Sequence, residues 1–154
     1  MIQKLRLKGF EVELFTGRST GENVGVAELV KQELSEFCVE PDHRNLEYIT
    51  EPESDYGKLK EALLAPRRRL RTWLAERDLT LLPGSTLTLG DATRFERSNP
   101  NDPYHDLIEA TYGTTVVTAS IHINLGISEP ADLFPALRLV RCEAALLLAL
   151  SASS

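Results

Sequence analysis

The clearest alternation of apolar and polar positions lies at Ala119-Ser-Ile-His-Ile-Asn-Leu-Gly-Ile127. With a period of two, Val117, Ala119, Ile121, Ile123, Leu125 and Ile127 point one way, and Thr118, Ser120, His122, Asn124 and Gly126 the other. The spacing predicts a strand with one core face. On its polar face a histidine and an amide stand roughly 6–7 Å apart. Lys8 to Thr16 alternates as cleanly, with Phe10, Val12 and Leu14 opposite Gly9, Glu11 and Glu13. Arg44 to Glu51 predicts a third strand, with Leu46, Tyr48 and Thr50 opposite Asn45, Glu47, Ile49 and Glu51. Leu79 to Gly90 is also extended, with Leu87 and Leu89 opposite Thr86 and Thr88.

Between these segments the period changes to that of a helix. Val26, Leu29, Val30, Leu34 and Phe37 predict an amphipathic helix of about three turns. Asp55 to Glu76 predicts a long helix lined by Tyr56, Leu59, Leu63, Leu70, Trp73 and Leu74, with Ser54 as its cap and a kink or break at Pro66. Asp91 to Pro103 is a polar loop, long enough to serve a site. A short helix follows from Tyr104 to Tyr112, closed by Gly113. The last helix starts at Ser128-Glu-Pro-Ala-Asp132, and from Cys142 to Leu150 its only charged residue is Glu143. A helix apolar nearly all round expects cover on several sides. More protein is therefore expected against it, either a C-terminal half or a second chain.

Four strands, each with one apolar face, and about four helices give an α+β fold: an antiparallel sheet with helices on one face. The 154 residues make about one domain, and the composition is that of a globular protein. No apolar run is long enough for a transmembrane helix, and Met1-Ile-Gln-Lys-Leu-Arg6 has no signal-peptide core, so the expected compartment is the cytoplasm with no membrane partner. A net charge of −6 argues against a nucleic-acid partner. Arg67-Arg-Arg-Leu-Arg71 accordingly fits a solvated helix face better than a basic binding patch. Cys38 and Cys142 have no metal-ligand spacing and are expected as buried free thiols.

The polar strand faces carry Glu11, Glu13, Glu47, Thr86, Thr88, His122 and Asn124, with no lysine or arginine from Gly9, Asn45 and Ser120 onward. If the strands are neighbours, the carboxylates converge. Each like-charged pair at roughly 6 Å then costs about 3 kcal/mol at an effective dielectric of about 20. Protons or cations must neutralise such a set. Hard oxygen ligands with one imidazole suit Mg²⁺ or Mn²⁺ better than Zn²⁺. The alternative is that strand order keeps the acids apart, each simply solvated.

Four stretches sharpen this choice: Gly9-Phe-Glu-Val-Glu13, Asn45-Leu-Glu-Tyr-Ile-Thr-Glu-Pro52, Pro103-Tyr-His-Asp-Leu-Ile-Glu-Ala-Thr-Tyr-Gly113 and Ser120-Ile-His-Ile-Asn124. In this order they resemble glutamate–cysteine ligases, especially of the cyanobacterial type, within the carboxylate–amine ligases of glutamine-synthetase-like fold. The resemblance implies half of a catalytic barrel whose concave sheet face binds Mg²⁺, ATP, glutamate and cysteine. It implies Glu11, Glu13, Glu47 and His122 as metal ligands, and Asn124 beside them at the metal or substrate. Either Glu40 or Asp42 would be a further acidic group, and Arg44 and Tyr112 substrate contacts.

The implied reaction is the first step of glutathione biosynthesis, ATP-dependent formation of γ-glutamylcysteine through a γ-glutamyl phosphate. Phosphoryl transfer of this kind relies on positioning and positive charge rather than on a protein nucleophile. Residues 1–154 correspond to the N-terminal part of one catalytic domain, so the chain alone is expected to be inactive. Two further readings stand beside this one: a related ligase using another amine, and a non-catalytic metal-binding or interaction domain.

Overall fold

A computed structural model describes residues 7–88 and 91–151. The expectations placed on residues 1–6, on Leu89 and Gly90, and on residues 152–154 lie outside that range. No helix of the described residues is long and apolar enough to cross a membrane.

The architecture is the expected α+β one, with an antiparallel sheet at its centre. Its strands are β1 (Leu7–Gly17), β2 (Phe37–Val39), β3 (Asn45–Ile49), β4 (Thr80–Leu82) and β5 (Ile121–Gly126). The helices are α1 (Ala27–Glu33), α2 (Tyr56–Ala75), α3 (Pro103–Tyr112) and α4 (Pro130–Ser151), with a 3₁₀ turn at Gly113–Val116. β1 is the hub. Its residues 11–15 pair with β3, residues 15–17 with β4, and residues 7–12 with β5. β2 extends the sheet beyond β3.

The main core forms where the even positions of β1 meet two helices. Val12 and Leu14 join Leu46 and Tyr48 of β3, Phe37 of β2, Ala27 and Val30 of α1, and Leu70, Trp73 and Leu74 of α2. Phe37 and Tyr48 meet edge to face at 5.6 Å between centroids, an arrangement that aromatic quadrupoles favour. A second cluster gathers Phe15, Leu87, Val117 and Ala119. α3 and the 3₁₀ turn stand beside this cluster and wall a cleft with Glu13, so not every helic element lies over the main core.

Several local expectations change. The helical spacing from Val26 to Phe37 covers a seven-residue helix and then a strand. Phe37 satisfies helical periodicity yet is buried from β2, because a three-residue strand is too short to show its own period. Asp55, not Ser54, caps α2 by accepting the Lys58 amide at 2.8 Å. α2 also runs unbroken through Pro66. A proline weakens the helix ladder one turn before it, and there the Tyr48 hydroxyl donates to the Leu63 carbonyl at 2.8 Å.

Cys38 and Cys142 are free but exposed, not buried; Cys38 stands opposite Glu47 in the β2–β3 register. The arginines of α2 are solvated as expected, with Arg68 paired to Glu61 and Arg69 to Glu36.

The largest departures involve apolar surface. Val117 and Ala119 are buried, but Ile121, Ile123 and Leu125 are exposed. α1 packs on β2, and α2 on β1 and β4, which leaves the apolar face of β5 uncovered. α4, expected to be enclosed, exposes Phe134, Leu137, Leu139, Leu148 and Leu150.

Candidate functional site

Strand order decides whether the carboxylates converge. With β1 between β3 and β5, Glu13 stands opposite Glu47, Glu11 opposite His122, and Gly9 opposite Asn124. Residues opposed across an antiparallel pair share a face. The sheet therefore places Glu11, Glu13, Glu47, His122 and Asn124 on one side, and Gly9 leaves room beside Asn124. An arrangement in which strand order separates the acids does not occur.

Hydrogen bonds knit part of this face together. The Glu11 carboxylate receives the Asn124 side-chain amide at 2.8 Å and the His122 Nδ1–H at 2.8 Å. His122 Nε2 lies 3.0 Å from the Ser120 hydroxyl. Ser120 also donates its backbone N–H to Glu13 at 2.8 Å, with its hydroxyl 3.0 Å from the same carboxylate oxygen. The His122 bond, followed by that of Asn124, holds the Glu11 carboxyl below its ordinary range. The reciprocal bond from Glu11 raises His122.

The side chains of Glu47 and Glu40 have no hydrogen bond or ion pair among the described residues. Burial raises Glu47, and the charges of Glu11 and Glu13 raise it further. Glu40 is pushed up to about 7, first by burial and then by Glu47 and Glu13. Of the two acids considered upstream of β3, Glu40 lines one cleft with Glu13 and His122 and feels their charges. Asp42 is buried against Arg44 instead.

The Glu40 shift makes stability depend on pH. Its carboxyl titrates near 4.5 when unperturbed and near 7 in the fold, so the folded protein binds that proton more tightly. The stabilisation is complete below the lower value and is lost as pH rises through the upper one. Glu40→Gln, neutral throughout, is expected to leave the melting temperature nearly unchanged at pH 4 and to raise it at pH 8. Thermal melts at both values check this, and an equal shift at both would count against it.

Arg44, expected as a substrate contact, lies inside the fold and not in the cleft wall. Its side chain is fully enclosed and every part of the guanidinium is engaged. Nε donates to Asp42 at 2.8 Å and Nη2 to the other Asp42 oxygen at 2.7 Å. The Asp91 and Arg94 carbonyls accept at 3.0 and 2.9 Å. Tyr112 is exposed on α3 and is absent from the cleft wall, where Tyr104 stands instead. Through these bonds Arg44 fastens the loop that begins at Asp91, one wall of the cleft.

Beside the acidic face this loop, α3 and the segment before β5 enclose a cleft of about 310 Å³. Glu13, Glu40, Asn45, Ser120 and His122 contribute its polar side, and Phe95, Ile108 and Val117 its apolar side. Asn45 and Ser120 were not among the sequence-derived site residues, although each carried a signal: Asn45 shares the polar parity of Glu47, and Ser120 that of His122.

The donor set fits a hard divalent cation: four carboxylates and an imidazole on one side, two of the acids unpaired and all repelling one another. Among the described residues, however, no three His, Cys, Asp or Glu side chains already stand as a metal-holding group. Glu11 and His122 are turned toward each other, which is how a carboxylate orients a histidine whose second nitrogen serves a metal.

The family model for Glutamate-cysteine ligase family 2 (GCS2) matches residues 7–154. No curated protein matches the sequence. Among solved structures, a bifunctional glutathione synthetase from Pasteurella multocida is similar with a TM-score of 0.67 and 18% identity, over 88% of this chain. The chain spans only 19% of that protein, and the likeness is one of fold.

Proposed function

Since the chain belongs to glutamate-cysteine ligase family 2, we propose that it carries the metal-binding sheet of an ATP-dependent carboxylate–amine ligase that makes γ-glutamylcysteine, of the cyanobacterial type. The carrying observation is the in-register meeting of Glu11, Glu13, Glu47 and His122 on one sheet face. In this reaction the γ-carboxylate of glutamate attacks the γ-phosphate of ATP, releasing ADP and leaving an acyl phosphate. The cysteine amine then attacks the acyl carbon, phosphate departs, and the amine loses its proton.

In this reading Glu13, Glu40, Glu47 and His122 hold Mg²⁺ or Mn²⁺. The cation, when bound, supplies positive charge against the triphosphate. Glu11, itself held by Asn124, orients the imidazole. Arg44 and Asp42 fix the 91–97 wall, so that substrates meet a formed cleft. The exposed apolar faces of β5 and α4 are covered by further polypeptide in the working enzyme, and the chain alone is inactive. The compartment proposed is the cytoplasm, and the partners are small molecules rather than nucleic acid or membrane.

Calorimetric titration of the chain with Mn²⁺, with and without ATP, tests the reading. Saturable binding at one site, tightened by ATP, is expected. A folded chain without saturable Mn²⁺ binding overturns it.

A further inference from the structure

The His43 ring stands between two carboxylates that belong to different parts of the fold. Its Nε2 lies 2.7 Å from Glu96 Oε2, in the loop that carries Phe95 into the cleft wall. Its Nδ1 lies 3.6 Å from Glu28 Oε2, in the first turn of α1. Backbone bonds fix the residue at this crossing. The His43 N–H donates to the Glu96 carbonyl at 2.9 Å, and the His43 carbonyl accepts the Val26 and Ala27 amides, each at 3.1 Å. Gly25 packs so closely on the ring that a Cβ there would fall 2.2 Å from Nε2. The side chain is 30% exposed, so protons reach it.

An imidazole flanked in this way changes its partners with its charge. A carboxylate only accepts, so the Nε2 facing Glu96 carries a hydrogen. In the neutral ring Nδ1 then carries a lone pair, which repels Glu28. The imidazolium has an N–H at both nitrogens and attracts both acids. The neighbouring charges do not reverse this sign. Arg94 at 2.5 Å and Arg44 at 3.5 Å both approach Glu96 through its other oxygen, Oε1, which leaves Oε2 to His43. Asp42 is bonded to Arg44 and to the Glu96 N–H. Glu28 has no other ion pair or hydrogen bond from its side chain among the described residues.

We propose that His43 is a proton-operated latch on the cleft wall. As imidazolium it bridges Glu28 of α1 and Glu96 and pins the loop that carries Phe95; as neutral imidazole it holds Glu96 alone and lets the loop part from α1. That a substrate meets this wall rests on the ligase reading above; the latch itself does not. The competing view makes His43 a fixed staple that works equally in either charge state.

Two quantities, followed on the metal-free chain from about pH 5 to about pH 8, where imidazoles change charge, separate these views. The His43 Hε1 resonance reports the charge of the ring. Hydrogen-exchange protection factors report the loop, read at the Glu96 and Ser98 amides, which donate to Asp42 and Pro41. Protection is expected to fall about fivefold as the ring loses its proton, the scale on which charge strengthens a hydrogen bond, and to follow the Hε1 titration. His43→Gln keeps a donor but takes up no proton, and should stay at the lower level at every pH. Glu28→Gln removes the α1 arm and should shrink the fall to about twofold or less while His43 still titrates. Protection that stays flat through the His43 titration overturns the latch. So does an equal fall in His43→Gln, which would assign it to Glu40 or His122. Should His43→Gln fail to fold, an undiminished fall in Glu28→Gln overturns the bridge. Mn²⁺ titration of the wild type keeps the two questions apart. A latch without Mn²⁺ binding defeats the ligase reading alone, and Mn²⁺ binding with flat protection defeats the latch alone.

Discussion

Asp42→Ala is expected to destabilise the chain by about 3–5 kcal/mol, because it strands a buried guanidinium without its counter-charge. Arg44 is 0% and Asp42 2% exposed. Burial opposes the Arg44 charge, but its two bonds to Asp42, with the nearby charges of Asp42, Glu96 and Asp91, more than offset it and raise its pKa. The Asp42 carboxylate also accepts the backbone N–H groups of Arg44 at 3.0 Å and Glu96 at 2.9 Å. Losing the carboxylate thus frees the 91–97 loop together with β3. For a domain of this size the melting temperature should fall by about 6–20 °C. The double variant Asp42→Ala/Arg44→Met removes both charges and should recover part of the loss. Hydrogen exchange at the Glu96 amide should accelerate in Asp42→Ala. A melting point within a degree of wild type would show that the pair is not what holds the loop.

This pair also marks where sequence reading stops. Glu40-Pro-Asp-His-Arg-Asn45 is polar throughout and carries no periodicity, so nothing in it announces two fully buried charges. Their burial depends on the Asp91 and Arg94 carbonyls folding back from about fifty residues away, a long-range fact without local signature. β1 and β3 were legible because both alternate over enough residues to separate two faces, and parity alone then assigned Glu11, Glu13 and Glu47 to the polar side. Parity could not say that β1 lies between β3 and β5, which is what brings those acids to His122. It also overstated β5: alternation predicts an apolar face, but cover comes from whichever helix reaches it, and neither α1 nor α2 packs there. Asn45 shows the same limit. Its position on the polar face was readable, while its burial belongs to the tertiary structure.

The largest effect is expected at the acidic face itself. Glu47→Gln and His122→Ala should each weaken Mn²⁺ binding on the order of a hundredfold, since each removes a direct donor from a set with few alternatives. Glu11→Gln should, in the proposed reading, cost about ten- to a hundredfold by a different route, through the His122 imidazole that its carboxylate holds. Combining Glu11→Gln with His122→Ala should therefore cost little more than His122→Ala alone, a non-additivity that two independent ligands would not give. Affinity should also climb as pH rises through about 7, where Glu40 sheds its proton, and protons should be released on binding below that value. Glu61→Gln, on the solvated side of α2 with Arg68, provides the control and should bind as wild type does. If Glu47→Gln matched that control, the carboxylates would be a solvated face. If the Glu11 and His122 losses simply added, Glu11 would be a ligand in its own right. The geometry favours neither outcome, because both Glu11 oxygens are already committed to His122 and Asn124 while Glu47 is left without a partner among the described residues.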